Sequence, residues 1–245
     1  MINKLLLIPD TQVKPGVDLA HLAQLGVDIV NERPDVIVHI GDHYDMPSLS
    51  SYDRGTAKAE GRRVLDDLDA GNLGMELIVG PLKQLQAKQR ASGKKVYKPK
   101  MYFHMGNHED RIRKYENNNP ALLGALATDR LNLSMWNVVP FLQVNVLEDV
   151  HFSHYFYNPN TGRPYSGTME FRMGKLKRSF VQGHEQGLKY ATEAVGDNRI
   201  HGLMAGSFYT HDEDYKGPQG NNHWRGHCYL HNVSNGSFDI DVRSL

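Results

Sequence analysis

Residues Met101 to Asp110 read MYFHMGNHED. Met101, Phe103 and Met105 alternate with Tyr102 and His104, the period of a β-strand, and the run stops at Gly106, where amide, imidazole and carboxylate follow. Gly106, Asn107, His108 and Glu109 therefore fall just past a strand's C-terminal edge, where open α/β sheets bind their ligands. Asn offers a neutral oxygen to a metal, His offers a proton or a nitrogen ligand, and Gly permits a sharp turn or a close approach. Taken singly, such a tetrapeptide is most often a polar turn, so its meaning depends on the segments around it.

Those segments repeat the pattern. Leu5, Leu6, Leu7 and Ile8 form a continuous apolar run, as in a strand buried on both faces, and end at Pro9-Asp10-Thr11-Gln12. Leu19, Leu22, Ala23, Leu25, Ile29 and Val30 fit one helix face, which Pro34 closes. Val36, Ile37, Val38 and Ile40 then lead into Gly41-Asp42-His43-Tyr44-Asp45, so strand, helix and strand form a right-handed parallel unit. Residues Ala57 to Arg90 are helical in pattern and are expected to break at Gly71, Gly74, Gly80 and Pro81. Lys94, Lys95, Lys98 and Lys100 read as a solvated surface, since only Tyr97 supplies an aromatic among them. Arg111 to Asp129 reads as helical with an interruption at Asn117 to Pro120.

The second half is strand-rich. Val138 to Val146 and Val150 to Phe156 are apolar and β-prone, and the latter carries Ser153-His154-Tyr155. After a loop from Asn158 to Thr168 and a short helix from Met169 to Lys177, the strand Ser179 to Gln182 runs into Gly183-His184-Glu185-Gln186. Ile200 to Ser207 is another strand, followed by a polar loop from Phe208 to His223 bearing His211, Asp212, Glu213 and Asp214. A hairpin closes the chain, Gly226 to Val233 and Phe238 to Val242 around Asn235-Gly236.

The 245 residues are expected to form a single domain, 1–245, since α/β folds often reach this size as one unit. Acidic and basic residues balance at 28 each, so no general pull on nucleic acid or anionic membrane follows, although a local basic patch is compatible. The one cysteine, Cys228, excludes an internal disulfide and fits a reducing compartment. The apolar start MINKLLLIPD is too short for a signal peptide and no run suits a membrane span, which together point to the cytoplasm.

Five strands thus end in loops carrying Asp10 with Gln12, Asp42 with Asp45, Asn107 with His108, His154, and His184 with Gln186. Two hydrolytic metals about 3.5 to 4 Å apart need a bridging carboxylate and a few oxygen and nitrogen ligands each, and this set supplies them. The order resembles that of the calcineurin-like metallophosphoesterase superfamily, with its D-x-H, G-D-x-x-D, G-N-H-D/E, lone His and G-H-x-H pattern. It is similar in particular to small phage and bacterial members. The resemblance implies a two-sheet α/β/β/α sandwich and a hydrolase acting on phosphoric esters through a dinuclear metal centre and bridging hydroxide. It implies that Asp10 binds the first metal, that Asp42 bridges, and that Asn107, His154 and His184 complete the second site. His108 becomes the acid that protonates the leaving oxygen, and Glu109 a brace for the loop. Asp45 reads more readily as a supporting or capping group than as a ligand.

Gln12 and Gln186 depart from the pattern, which has His at both positions, and both serve the first metal. Their amide oxygens make that site nearly all oxygen, which disfavours zinc and suits Mn²⁺, with Mg²⁺, Fe²⁺, Ni²⁺ and Zn²⁺ as alternatives. His211 is a second source of the missing nitrogen, and His43, His104, His151 and His227 are lesser ones. Arg54, Arg111 and Arg113 are candidate phosphate clamps. The expected substrate is a phosphodiester, in nucleic acid or a nucleotide, with Tyr44, Tyr52, Tyr157, Tyr165, Tyr209 and Trp224 available to stack bases. A phosphomonoester or phosphoprotein substrate uses the same core, and a catalytically weak metal-binding scaffold is the alternative that the two glutamines keep open. The oligomeric state is not legible.

Overall fold

The computed structural model describes residues 1–126, 128–213 and 216–245, without the side chains of Asn198 and Pro218. Asp214 of the polar loop lies outside the described residues. In chain order the strands are β1 (Ile2–Ile8), β2 (Val36–His39), β3 (Lys100–His104), β4 (Asn137–Val139), β5 (Asn145–Leu147), β6 (Val150–Ser153), β7 (Phe180–Gln182), β8 (Leu188–Val195), β9 (Asn198–Ala205), β10 (Gly226–Ser234) and β11 (Ser237–Ser244). The helices are α1 (Ala20–Glu32), α2 (Val64–Ala91), α3 (Asp110–Asn118), α4 (Met169–Leu176) and the single turn α5 (Gly217–Gly220).

Two sheets result, ordered β11-β10-β1-β2-β3-β4 and β5-β6-β7-β9-β8. Strands β1 to β4 run parallel, as do β6, β7 and β9, and antiparallel strands complete the sheets. Strand β1 shows why the layers stack. Its side chains alternate across the pleat, so Leu6 and Ile8 join a core with Leu22, Ile29, Ile78 and Leu82 of α1 and α2. Leu5 and Leu7 point the other way and meet Phe152, Val181 and Leu203 of the second sheet. A third core places Met169 and Met173 of α4 against Phe180, Ile200 and Met204. The order helix, sheet, sheet, helix is the α/β/β/α sandwich expected from the sequence.

Three expectations are corrected. Helix α2 runs unbroken for 28 residues through Gly71, Gly74, Gly80 and Pro81. Its glycines act as contact points: a Cβ on Gly71 would stand 2.0 Å from the Tyr44 ring. Residues 138–146 are two strands, because Pro140 has no N–H to continue the ladder and Leu142 takes a left-handed φ of 64°. The chain thereby leaves the first sheet and enters the second. The helical stretch expected to Asp129 ends at Asn118, and short 3-10 turns follow. Strand β8 is an addition, since its exposed edge sequence LKYATEAV lacks clean alternation.

Candidate metal centre

Strands β1, β2, β3, β6 and β7 all release the chain at one edge of the two sheets, and each exit carries polar side chains. The exits are tied together before any ligand is considered. The buried Glu109 carboxylate accepts the N–H groups of Asp42 (3.0 Å), Tyr44 (2.8 Å) and Gly106 (2.8 Å), and so holds two loops in register. Behind them runs a polar chain in which every proton is assigned by its neighbours. The Gly41 N–H donates to His39 Nδ1 (3.2 Å), so His39 Nε2–H donates to Thr11 Oγ1 (3.2 Å). Thr11 then donates to His43 Nδ1 (2.7 Å), whose Nε2–H donates to the Gly71 carbonyl (2.9 Å). Burial lowers both imidazoles, His43 to about 4, so both are neutral. This chain fixes Asp42 between its two anchors, and His43 is thereby a structural residue.

On that frame four candidate ligand side chains converge. Asn107 Oδ1 lies 3.0 Å from His154 Nε2 and 2.7 Å from His184 Nδ1, and Asp42 Oδ2 lies 3.2 Å from His154 Nε2. One ligand atom from each of Asp42, His154 and His184 falls within 4.8 Å of the others, a spacing that could hold one ion. His154 Nδ1 sits 2.8 Å from the Ile40 carbonyl, so its Nδ1–H is spoken for and Nε2 faces the cluster, the orientation common to metal-ligating histidines. Close approach is possible only because Gly106 has no side chain: a Cβ there would stand 2.1 Å from Asp42 Oδ1.

The residues of the expected first site flank this cluster. Asp10 accepts the His184 N–H with both oxygens (3.2 and 3.0 Å). Gln12 Oε1 is buried with no hydrogen-bond partner among the described residues, an acceptor that a cation would satisfy. Gln186 Oε1 accepts the Tyr209 hydroxyl at 2.8 Å. Gln12, Asp42 and His184 take positive φ values of 38°, 52° and 66°, a backbone strain typical of functional sites.

Electrostatics agree with a cation site. Burial pushes Asp10 up to about 7, partly offset by His154 and reinforced by Asp42. Burial also opposes ionisation of Asp42, but His108 and His154 outweigh it and hold the carboxylate ionised. His154 rises to about 9 against its own burial, through Asp42 and Asp10, whereas burial and His154 push His184 down to about 4.

His108 stands beside the cluster with its Nε2 3.7 Å from Asp42 Oδ2. Asp45 takes its Nδ1–H at 2.6 Å, which aims Nε2 inward. Burial works against a charged imidazole here, and Arg111 opposes it from 3.2 Å, but Asp42 and Asp45 prevail and the pKa is raised. Asp45 is held below the usual carboxylate range despite burial, by His108 first and then Lys14 and Arg111.

Of the three arginines singled out, Arg111 reaches this site, donating to the Asp45 carbonyl at 2.6 Å. Arg113 is paired with Asp110 and Arg54 is exposed on a loop, and none of the three arginines is among the residues lining the cavity. His211 stacks on Tyr209 and bonds Glu213 at 2.8 Å, outside the ligand cluster. His104 is buried with neither ring nitrogen paired, His151 sits on β6, and His227 is buried on β10. A cavity of about 470 Å³ opens over Gln12, Asp42, Asn107 and His108 and extends to Lys189, Lys216 and His223, three residues that no sequence motif marked. Their signal was a cation at a strand edge, Lys189, and a cation and an imidazole in the polar loop, Lys216 and His223, which sequence spacing does not resolve.

No family model matches the chain. Over 111 residues it is 31% identical to the Gene 54 protein of Mycobacterium phage L5, covering 45% of this chain and 38% of that one. The Gene 54 protein of Mycobacterium phage D29 is 31% identical over 113 residues with the same coverage. The match thus spans less than two fifths of these relatives. Among solved structures, YfcE, a phosphoesterase from E. coli, is 11% identical with a TM-score of 0.43, covering 97% of this chain and 98% of that one. Vps29 from Chaetomium thermophilum is 11% identical with a TM-score of 0.41, covering 100% of this chain and 96% of that one. No helix among the described residues is long and apolar enough to cross a membrane.

Proposed function

We propose that the protein is a metal-dependent phosphoesterase acting on phosphodiesters, with two divalent ions, Mn²⁺ foremost, held at the strand exits. The single observation that carries the reading is the convergence of Asp42, Asn107, His154 and His184 on one point beside a buried His108 that carries its own carboxylate partner. Asp10, Gln12, Asp42 and Gln186 would hold one ion, and Asp42, Asn107, His154 and His184 the other. When bound, such ions activate water at neutral pH and neutralise phosphoryl oxygens.

The chain's own residues do the rest. Asp45 takes the His108 Nδ1–H and so turns Nε2 into the site, and the protonated ring would give its Nε2–H to the oxygen that leaves the phosphorus. Asp42 and Asp45 favour that protonated ring against its burial. Lys216 and the ion pair of Lys189 with Glu185 (3.8 Å) line the same cavity, where the second esterifying group of a diester can lie. The test is His108→Asn on a diester with a poor leaving group. Turnover should fall by about 10² to 10⁴ fold, the loss typical of a missing general acid. Turnover equal to wild type rejects the assignment.

A further inference from the structure

A second cavity, of about 320 Å³, lies beside Tyr155. Tyr155 lines it, and its ring packs 4.8 Å from the ring of His184, which lines the first cavity, so one aromatic contact joins the linings of the two. Tyr157 and Tyr165 also line the second cavity, presented by a hydrogen-bonded turn, and Tyr165 packs in part against the third core. That turn is closed by Asn158 N–H to the Arg163 carbonyl (2.9 Å), Tyr165 N–H to the Phe156 carbonyl (2.9 Å) and a backbone bridge between Tyr157 and Pro164. Tyr157 is 42% exposed, far more than a core tyrosine requires.

The lining is charged in one sense only. Lys175 and Arg178 contribute, and no Asp or Glu does. Lys175 Nζ lies 5.3 Å from the Phe171 ring and Arg178 Nε donates to the Leu176 carbonyl at 3.0 Å, so neither is in an ion pair among the described residues. Aromatic faces for a planar ring, cations for a phosphate and a lining joined to that of a phosphoester site form the pattern that binds a single strand of nucleic acid.

We infer that this cavity is a base-binding subsite, in which a nucleotide of single-stranded nucleic acid stacks on Tyr157 and Tyr165 while Lys175 and Arg178 hold its phosphate, next to the bond cleaved at the metal centre. The inference rests on the phosphodiesterase reading for its direction and on the second cavity for its substance. Of the aromatic residues that the sequence offered for stacking, Tyr44 and Tyr209 are fully buried and unavailable, whereas Tyr157 and Tyr165 face this cavity.

The test is fluorescence anisotropy with a short labelled oligothymidylate and an abasic oligomer of equal length, in EDTA so that no strand is cut. Wild type should prefer the oligothymidylate. Tyr157→Ala should weaken it about tenfold and leave the abasic oligomer unchanged, with Tyr157→Phe close to wild type. Lys175→Ala and Arg178→Ala should each lower the slope of log affinity against log salt by about 0.7. Equal affinity of wild type and Tyr157→Ala for oligothymidylate overturns the inference, as does equal binding of the two oligomers by wild type. In parallel, the same variants should hydrolyse a small aryl phosphodiester with Mn²⁺ at the wild-type rate. If wild type fails to hydrolyse it with any divalent metal while the binding results stand, the metal-site reading fails and the base-binding subsite survives.

Discussion

At the scale of single residues, the site depends on who orients whom. Asp45 touches no part of the ligand cluster that could hold an ion, yet its 2.6 Å bond to His108 sets both the tautomer and the proton affinity of that ring. Asp45→Asn should therefore move the basic limb of the kcat/KM profile to lower pH and reduce turnover about tenfold at neutrality. A loss of rate with no change in profile shape would show that Asp45 merely packs. Gln12 and Gln186 make a different prediction. Amide oxygens hold zinc less well than imidazole, so the double variant Gln12→His, Gln186→His should gain zinc affinity at the first site in competition with a chromogenic chelator. Tight binding of two zinc ions by wild type with full activity would contradict this. Proton linkage also follows. Asp10 is raised to about 7 and His154 to about 9, so both carry protons near neutrality that an incoming cation must displace. Apparent metal affinity should fall as pH drops through about 9 and more steeply through about 7, and calorimetry in buffers of different ionisation enthalpy should detect the released protons.

At the scale of elements, close contacts between backbones decide where the loops lie. Helices α1 and α2 cross at Gly26, where a Cβ would meet the Leu77 carbonyl oxygen at 2.3 Å. A carbonyl in a helix cannot swing aside, so Gly26→Ala should destabilise the protein by about 1 to 3 kcal/mol, read as a shift in urea midpoint. An unchanged midpoint would mean the helices separate freely. This contact also explains what the sequence concealed. Apolar periodicity identified β1, β2, β3, β6, β7 and the final hairpin, because each is a short apolar run or alternation bounded by turn residues. Glycines in α2 were misread as breaks because local propensity counts their flexibility, whereas the fold uses their small size against Tyr44 and Val13. The candidate ligands stood out through their order along the chain, Asp10, Asp42, Asn107, His154 and His184, since each follows a strand. Thr11 and His39 were not, because the buried chain they form spans two loops, a strand and a helix and has no signature in spacing. Lys189 and Lys216 likewise come from a strand edge and a loop that only the folded sheet brings to the cavity.

At the scale of the whole molecule, a sandwich of two sheets lets one edge collect five loops while its interior stays dry, and the dry interior sets the response to acid. Burial lowers His104 to about 3 and His43 to about 4, so the folded state keeps both neutral while the unfolded chain protonates them near 6.5. Their contribution is present above about 6.5 and is lost as pH falls toward 4 and 3. His104, with neither ring nitrogen paired, should be replaceable: His104→Leu should raise the urea midpoint at pH 5 relative to wild type and change it little at pH 7. An equal midpoint at pH 5 would show that His104 is not held neutral. The central claim, that these loops assemble a hydrolytic metal centre, is met most directly by stripping the protein with EDTA and titrating Mn²⁺ while following hydrolysis of an aryl phosphodiester. The stripped protein should show no turnover, and activity should rise to a plateau at about two equivalents of metal. Absence of hydrolysis at every concentration of Mn²⁺, Mg²⁺, Ni²⁺ and Zn²⁺ would contradict it.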